Sequence, residues 1–377
     1  MKEGGDKMKV QMGKPSISAS DYEAVIATLS TGWLTHGPKT HEFEDRFAKY
    51  IGVKRAIAMN SCTSALFLAV KALGITGEVI MPSFTFVATA NAVVTAGATP
   101  VFADIEGDTC NISPWDIEDK ITSRTEAIMP VHFAGHPCEM GEIMEIAEKH
   151  SLAVIEDSAE TLGGEYHWQK AGSFGIGCFS FFPTKAMTTG EGGMLTTNDD
   201  ALADKVRALV GHGLVKTPYE RESTDRPWYR IAKYPGYNFR MSEILGVLGY
   251  EQLKRLPEMN AKRRKIAAFY HGGLDDLSDI VLPTERENCA HVYQIFTIKV
   301  RPPIMRDAFV AKLRKRGVMA AVHFDPPLHH MAIFPDADLP VTDVVSERIV
   351  TLPMFPDMTD EQMRYVVGTV KDVSRDA

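Results

Sequence analysis

The feature that most constrains the fold is an alternation running from about residue 56 to residue 200. Short apolar runs, each long enough for one buried strand, are separated by stretches with helical spacing. The predicted strands are Arg55–Met59, Glu78–Met81, Thr99–Ala103, Ala127–His132, Leu152–Ile155, Cys178–Phe182 and Met194–Thr197. The predicted helices lie near 64–73, 85–96, 114–121, 138–150 and 200–210. Ser113-Pro114 marks one helix start, a capping serine followed by proline at the first helical position. This alternation predicts an α/β domain with a largely parallel sheet covered on both faces.

The flanks differ. Residues 15–55 predict two helices: Ser20-Asp-Tyr-Glu23 has the form of a capping box, and Phe43, Phe47, Tyr50 and Ile51 follow a 3–4 spacing. Residues 215–237 are polar and aromatic, with prolines at 218, 227 and 235, and predict a long functional loop. A helix follows from Ser242 to about Tyr270, interrupted near Pro257 and ended by Gly272-Gly273. Beyond it, strands at His291–Val300 and Val318–Phe324 and a helix at Asp307–Arg316 predict a second, smaller domain. Thr359-Asp-Glu-Gln362 caps a terminal helix. The expected division is an N-terminal segment (1–55), a large α/β domain (56–255) and a small C-terminal α/β domain (256–377).

Composition narrows the function classes. A chain of 377 residues with 45% hydrophobic and 24% charged side chains can bury a sizeable core, which excludes disordered and fibrous classes. The net charge of −8, without a long basic run, argues against nucleic acid or an anionic membrane surface as the main partner. No stretch approaches the roughly 18 apolar residues of a membrane span. Five scattered cysteines without a C-x-x-C pair fit neither a disulfide framework nor structural zinc. The start, Met1 to Gln11, carries Lys2, Lys7 and Lys9 but no apolar core of a signal peptide, and Met8 offers a second start. A cytoplasmic location is expected.

Three positions suggest chemistry. The apolar run Leu152–Ile155 empties into Glu156-Asp157, and ligands of open α/β sheets sit outside the carboxyl ends of strands. A helix cap or a solvated strand end explains the same acid. Lys185 leaves the strand Cys178–Phe182 just before Thr188-Thr-Gly-Glu-Gly-Gly193. Burial disfavours a charged amine, which suits an imine-forming lysine, and the glycines let backbone approach a flat ligand. An exposed turn lysine is the alternative. Asn60-Ser-Cys-Thr-Ser64 precedes a helix, where free N–H groups form an anion site or the hydroxyls simply cap. Other fingerprints are missing: no G-x-x-x-x-G-K-[S/T] occurs, and Gly172-Ser-Phe-Gly-Ile-Gly177 has the wrong order for a dinucleotide loop. His132 and His136 are separated by a segment containing Ala134-Gly135, which argues against a helical metal pair, and no metal is expected. His329-His330 are equally surface residues or substrate contacts. Together, an acid, a lysine and a phosphate cradle are the three contacts that pyridoxal 5′-phosphate (PLP) needs.

The chain resembles the DegT/StrS family of PLP-dependent nucleotide-sugar aminotransferases. The resemblance runs from Thr31-Gly-Trp-Leu-Thr-His-Gly-Pro38 to Pro326-Pro-Leu-His329. Its most specific pieces are Pro82-Ser-Phe-Thr-Phe-Val-Ala-Thr89, Ile155-Glu-Asp-Ser-Ala-Glu160, Phe179-Ser-Phe-Phe-Pro-Thr-Lys185, Thr189-Gly-Glu-Gly-Gly193 and Gly236-Tyr-Asn-Phe-Arg-Met241. Among members it looks most like the perosamine-synthase type. The resemblance implies the fold-type I aminotransferase architecture: a large domain with a mostly parallel seven-stranded sheet, plus a smaller C-terminal α/β domain.

It also implies roles. Lys185 would be the Schiff-base lysine and proton shuttle, and Asp157 the partner of the ring nitrogen. Cys62, Thr63 and Ser180 would hold the phosphate, Phe86 would stack on the ring, and Glu160 would lie near the ring hydroxyl. Asn238 would reach the neighbouring subunit's cofactor, making the enzyme a homodimer with shared sites. His329 and His323 would face the sugar. Cys62 stands where glycine or alanine is common, so only its N–H carries over, and Glu160 stands where many members have Gln or His. Lys185 itself argues against the dehydratase branch, which has histidine there. The implied reaction moves an amino group from L-glutamate to a 4-keto-6-deoxyhexose carried on GDP, UDP or dTDP. A 3-keto sugar or an inosose is the alternative substrate, and a non-catalytic PLP-binding regulator the alternative class.

Overall fold

A computed structural model describes residues 8–376. Helices α1 (Ala19–Thr31) and α2 (Pro38–Ile51) lead into β1 (Arg55–Met59), α3 (Cys62–Leu73), β2 (Glu78–Pro82), α4 (Val87–Ala96) and β3 (Thr99–Ala103). The chain continues through α5 (Pro114–Asp119), β4 (Thr125–Ile128), α6 (Met140–His150) and β5 (Ala153–Asp157). Two short strands, β6 (Glu165–Tyr166) and β7 (Gln169–Lys170), precede β8 (Ile176–Ser180), β9 (Gly193–Thr197), α7 (Asp200–Val210) and α8 (Pro218–Glu222). The long α9 (Glu243–Leu274) leads to β10 (Ile280–Val281), β11 (Cys289–Ala290), β12 (Phe296–Val300), α10 (Arg306–Lys315), α11 (Pro340–Ser346), β13 (Ile349–Leu352) and α12 (Asp360–Arg375).

Seven strands form the central sheet in the order β1-β9-β8-β5-β4-β2-β3. Only β9 runs against its neighbours, β1 and β8. The other pairings are parallel. Alternate side chains enter two different cores, as the period of a strand requires. Val79, Met81, Ala127 and Ile155 pack with α3, α4 and α7, whereas Ile80, Ile128 and Val154 pack with α5 and α6. Nearer β1 the second face is covered by α2 and α9, through Phe43, Phe47, Leu253 and Leu256. Helices on both faces explain why these strands read as near-continuous apolar runs.

The C-terminal part buries a separate core. The antiparallel sheet β10-β12-β13 packs on the second half of α9 and on α10 and α12, through Ile266, Tyr270, Phe296, Phe309 and Val366. Val10 joins this core and bridges Val318, so the first described residues belong with the C-terminal part rather than with the two entry helices. Lys2 and Lys7 lie outside the described residues.

Several sequence expectations change. The first helix is capped by Ser18, which accepts from the Asp21 N–H, while Asp21 accepts from the Ser18 N–H at 2.7 Å. The capping box therefore sits two residues ahead of Ser20. The strand expected over Ala127–His132 ends at Ile128, because Pro130 has no N–H for a ladder. Val318–Phe324 forms only single bridges, Val318 to Val10 and Ala321 to Thr351. Pro257 does not interrupt α9, because packing against α1 and α2 before it and α12 after it holds the helix through the lost hydrogen bond. The expected domain boundary at 255/256 thus falls within a continuous helix.

The contact between α2 and α9 is built for close approach. A Cβ on Gly246 would lie 2.4 Å from Thr40 Oγ1, and one on Gly249 would lie 2.6 Å from the Phe43 ring. Gly37, at the start of α2, has no side chain to cap the helix. Glu243 supplies the cap from the start of α9. Its Oε1 accepts from the Lys39 N–H at 2.6 Å, and its Oε2 accepts from the Thr40 N–H at 3.1 Å and the Thr40 hydroxyl at 2.7 Å. These are charge-assisted bonds to the positive end of a helix dipole. Glu243→Ala is expected to destabilise the protein by about 3 kcal/mol, because it leaves buried donors unsatisfied. Denaturant unfolding measures this, and a change within experimental error would show that water caps α2 instead.

Candidate active site

The carboxyl ends of β2, β5 and β8 converge on one edge of the sheet, and the reactive side chains cluster there. Asp157 is the last residue of β5 and is buried. Its Oδ2 accepts from the Thr89 hydroxyl at 2.9 Å, and its Oδ1 accepts from the Ala159 N–H at 3.2 Å. Thr89 is one turn beyond Thr85, and their hydroxyls are 2.9 Å apart. Burial pushes the Asp157 carboxyl above its ordinary value, against the pull of those donors and of Lys185. A cation beside it would reverse that cost.

Lys185 sits on the turn that leaves β8, with its Nζ 3.1 Å from Glu160 Oε1. Glu160 Oε2 accepts from the Ala134 N–H at 3.0 Å. Burial pushes Glu160 upward, but Lys185, His323 and these hydrogen bonds outweigh it and hold the carboxyl below its ordinary value. The turn itself is anchored from α9 and from the segment before β12. The buried Arg263 of α9 donates to the Ala186 carbonyl at 3.2 Å and to the Lys185 carbonyl at 3.4 Å, and Gln294 donates to the Thr184 carbonyl. Burial pushes the Arg263 guanidinium down to about 10.

The helix start expected to bind phosphate is α3. Ser61 is its cap, accepting from the Ser64 N–H at 3.1 Å, so the N–H groups of Cys62 and Thr63 lie in the first turn, where no intrahelical acceptor exists. Gly193, the first residue of β9, passes directly beneath. A Cβ there would lie 2.5 Å from the Cys62 nitrogen and 2.3 Å from the Ser61 carbonyl carbon. This glycine is therefore required for the cradle to close on the sheet. Burial pushes the Cys62 thiol well up, so the side chain is an inert filler and its backbone faces the site.

The remaining residues are less uniformly placed. Phe86, capping α4, exposes 62% of its surface and offers a free aromatic face. Ser180 ends β8 and accepts from the Phe182 N–H at 3.4 Å. His323 Nδ1 lies 2.8 Å from Thr351 Oγ1, and burial pushes its imidazole below its ordinary value against the pull of Glu160. Asn238 is exposed and pairs with Gly211, on a segment that meets the exit of β1 through the Asn60 N–H to Phe239 carbonyl bond of 2.7 Å. His329 is buried beside the end of β2, with Nδ1 2.7 Å from Ser83 Oγ and Nε2 3.1 Å from Asp343 Oδ1. Sequence reasoning missed Thr85, Thr89 and Arg263. The i, i+4 pair of threonines in Pro82–Thr89 was the available signal for the first two, whereas nothing local marks Arg263.

The donor set fits PLP. A buried carboxylate with only neutral donors in contact suits a protonated ring nitrogen, the Cys62-Thr63 turn suits a phosphate, and an amine lies within the same edge. Comparison with known proteins agrees. The DegT/DnrJ/EryC1/StrS aminotransferase family model matches residues 15–371. The Bacillus subtilis spore coat polysaccharide biosynthesis protein SpsC is 38% identical over 375 residues, which is 96% of each chain. PseC of Helicobacter pylori, an aminotransferase of pseudoaminic acid biosynthesis, has 30% identity and a TM-score of 0.92, covering 98% of this chain and 100% of its own. Spr1654 of Streptococcus pneumoniae, solved in a PLP form, has 28% identity and a TM-score of 0.90, covering 98% and 99%. DesI, solved in the presence of its TDP-sugar product, has 33% identity and a TM-score of 0.89, covering 99% and 94%. The fold is that of the PLP-dependent aminotransferases, and the chain belongs to the DegT/DnrJ/EryC1/StrS aminotransferase family.

Proposed function

We propose that the enzyme transfers an amino group from L-glutamate to a nucleotide-linked keto-sugar, a 4-keto-6-deoxyhexose on GDP, UDP or dTDP. The observation that carries the reading is the Lys185–Glu160 pair at 3.1 Å on the same sheet edge as the buried Asp157. The product sugar of DesI and the sugar pathways of SpsC and PseC support the substrate class.

Bound at this edge, PLP would supply an aldehyde carbon that captures amines and a ring that accepts an electron pair. The protein does the rest. Asp157, kept in place by Thr89 and Ala159, pairs with the ring nitrogen and keeps it protonated. The Cys62 and Thr63 N–H groups, with Ser180, hold the phosphate, and Phe86 covers a ring face. Lys185 Nζ takes the proton from the amino donor's carbon and returns one to the acceptor carbon. Glu160 fixes that amine on one side, and Arg263 and Gln294 fix the turn that carries it. His323 lies where the sugar ring would meet the cluster.

The working unit in this reading is a homodimer with shared sites. Asn238 is exposed, and the same loop displays Trp228, Tyr229 and Ile231 to solvent, a surface of the sort subunits cover. His329 contributes by holding the segment after β2 through Ser83 rather than by touching sugar. The cysteines of the described chain are all free, and four are buried, in keeping with a reducing cytoplasm. No helix among the described residues is long and apolar enough to cross a membrane.

An absorbance spectrum of the purified protein with PLP tests the reading. A visible band from the lysine-bound cofactor that bleaches on adding L-glutamate is expected. No band would refute the cofactor, and a band indifferent to glutamate would refute the donor. Lys185→Ala should lower turnover at least about 100-fold, whereas retained activity would remove the lysine from the mechanism.

Asp157→Asn separates function from stability. It should abolish amino transfer, because a neutral amide cannot keep the ring nitrogen protonated. The sign for stability is opposite. A carboxyl raised by burial favours the native state while protonated and loses that contribution as pH rises through its folded titration. Cofactor-free Asp157→Asn should therefore melt no lower than wild type at pH 7, and its advantage should shrink as pH falls below the carboxylate range. Melting curves at both pH values check this, and a variant less stable at neutral pH would contradict it.

A further inference from the structure

Two histidines and an aspartate meet where the C-terminal part of the chain crosses the carboxyl ends of β2 and β3. His329 and His330 lie on the short 3-10 turn Leu328–His330, and Asp343 lies on α11. His329 Nε2 is 3.1 Å, and His330 Nε2 2.8 Å, from the same atom, Asp343 Oδ1. All three residues offer a ligand atom within 4.8 Å of the others. Donors of a tetrahedral ion, each about 2.0–2.1 Å from it, stand roughly 3.3 Å apart. Two of the three edges are therefore near that spacing already, and the exposed His330 ring is free to turn and close the third. Because the histidines are adjacent in sequence, no i, i+4 motif marks them.

The surroundings hold these donors in place. Ser83, the first residue beyond β2, accepts from the His329 N–H at 2.9 Å, and its Oγ lies 2.7 Å from His329 Nδ1. The Ser83 carbonyl accepts from the Leu328 N–H at 3.1 Å. The buried His329 ring is thus fixed with Nε2 toward Asp343, the outer-shell arrangement that orients metal-bound imidazoles. Asp104, the first residue beyond β3, fixes α11 in turn. Its Oδ2 accepts from the Val341 N–H at 2.9 Å, and its Oδ1 from the Thr342 N–H at 2.8 Å. A second grouping, His36, His41 and Glu44, looks alike but is closed. Arg207 donates to both Glu44 oxygens at 2.9 Å, so a guanidinium stands where an ion would. Among the described residues, no lysine or arginine pairs with Asp343.

We propose that His329, His330 and Asp343 bind one divalent transition-metal ion of the zinc type, with water completing its coordination. Two imidazole nitrogens select zinc, cobalt or nickel over magnesium and calcium, which take oxygen ligands. The ion is a clamp and takes no part in amino transfer. It ties the 3-10 turn and α11 to each other and, through Ser83, to the segment that continues into Thr85 and Phe86.

Calorimetric titration of the PLP-loaded enzyme, first stripped with a chelator, with zinc chloride tests it. A zinc ion should bind with a dissociation constant of about 10 µM or tighter. His330→Ala and Asp343→Asn each remove one solvent-facing ligand and should weaken that binding at least about tenfold, since even outer-shell changes cost as much. Zinc should raise the melting temperature of the wild type and leave that of either variant unmoved, because only an ion bound to the native state shifts unfolding. Cobalt chloride should give the visible bands of a four-coordinate ion with the wild type and not with the variants. Magnesium chloride at about 1 mM should not displace the zinc. The proposal is overturned if no binding is seen at about 100 µM zinc. It is equally overturned if either variant binds zinc as the wild type does, which would place the ion elsewhere, or if magnesium displaces it.

Discussion

The structure turns on how it buries negative charge at the end of β5. Three acids, Glu156, Asp157 and Glu160, fall within five residues of a strand that is buried on both faces. Each is treated differently. Glu156 accepts from the N–H groups of Gly172, Phe174 and Gly175 and lies 3.1 Å from His132 Nε2, so all its lone pairs serve the scaffold. Asp157 meets only a hydroxyl and one amide, which leaves it short of positive charge. Glu160 takes the amine. Because a buried carboxylate without a cation is costly, the middle acid reserves a place for one. Alternation along the strand enforces the division, since neighbours must face opposite sides of the sheet.

That division requires the surrounding turns to be rigid, and both are fixed from distant parts of the chain. His132, with Nδ1 accepting the Cys138 N–H at 3.0 Å, has no capacity left for a metal or substrate. It is a strut between the ends of β4 and β5. The Lys185 turn is held from α9 and from the segment before β12, so the C-terminal part of the chain is a structural part of the site. An amine held by carbonyl anchors behind it and a carboxylate in front has little freedom to leave the sheet edge. Such preorganisation is what a proton shuttle between two carbons needs.

Much of this was legible in the sequence. All seven sheet strands were foreseen within a few residues, because a strand covered on both faces needs an apolar run. Asp157 and Lys185 stand out in the sequence because each lies within three residues of the end of such a run. What escaped was set by contacts remote in sequence. Pro257 looked like a break, yet packing along α9 overrides the missing N–H. Glu243 is a first-turn acid of its own helix, and only the fold shows that it also caps α2. The two-residue strands β6, β7 and β11 have no periodicity to detect. α8 did have a signal, Thr217-Pro-Tyr-Glu220, but it lay inside a stretch whose prolines and aromatics read as loop. His329 lacked any local cue distinguishing a substrate contact from a buried strut.

The distribution of positive charge completes the physical picture. The chain is acidic overall, at −8, so a cationic surface must be assembled against the average. Within the folded core the cations are spent: Arg207 on Glu44, Arg255 on Asp21 at 2.6 Å, and Arg263 on backbone carbonyls. Around the loop after α7, where Lys216, Arg221, Arg230 and Arg240 line a cavity, they are not. Electrostatic potential in a concave, partly desolvated cavity is focused rather than screened, whereas the acidic exterior is exposed to salt.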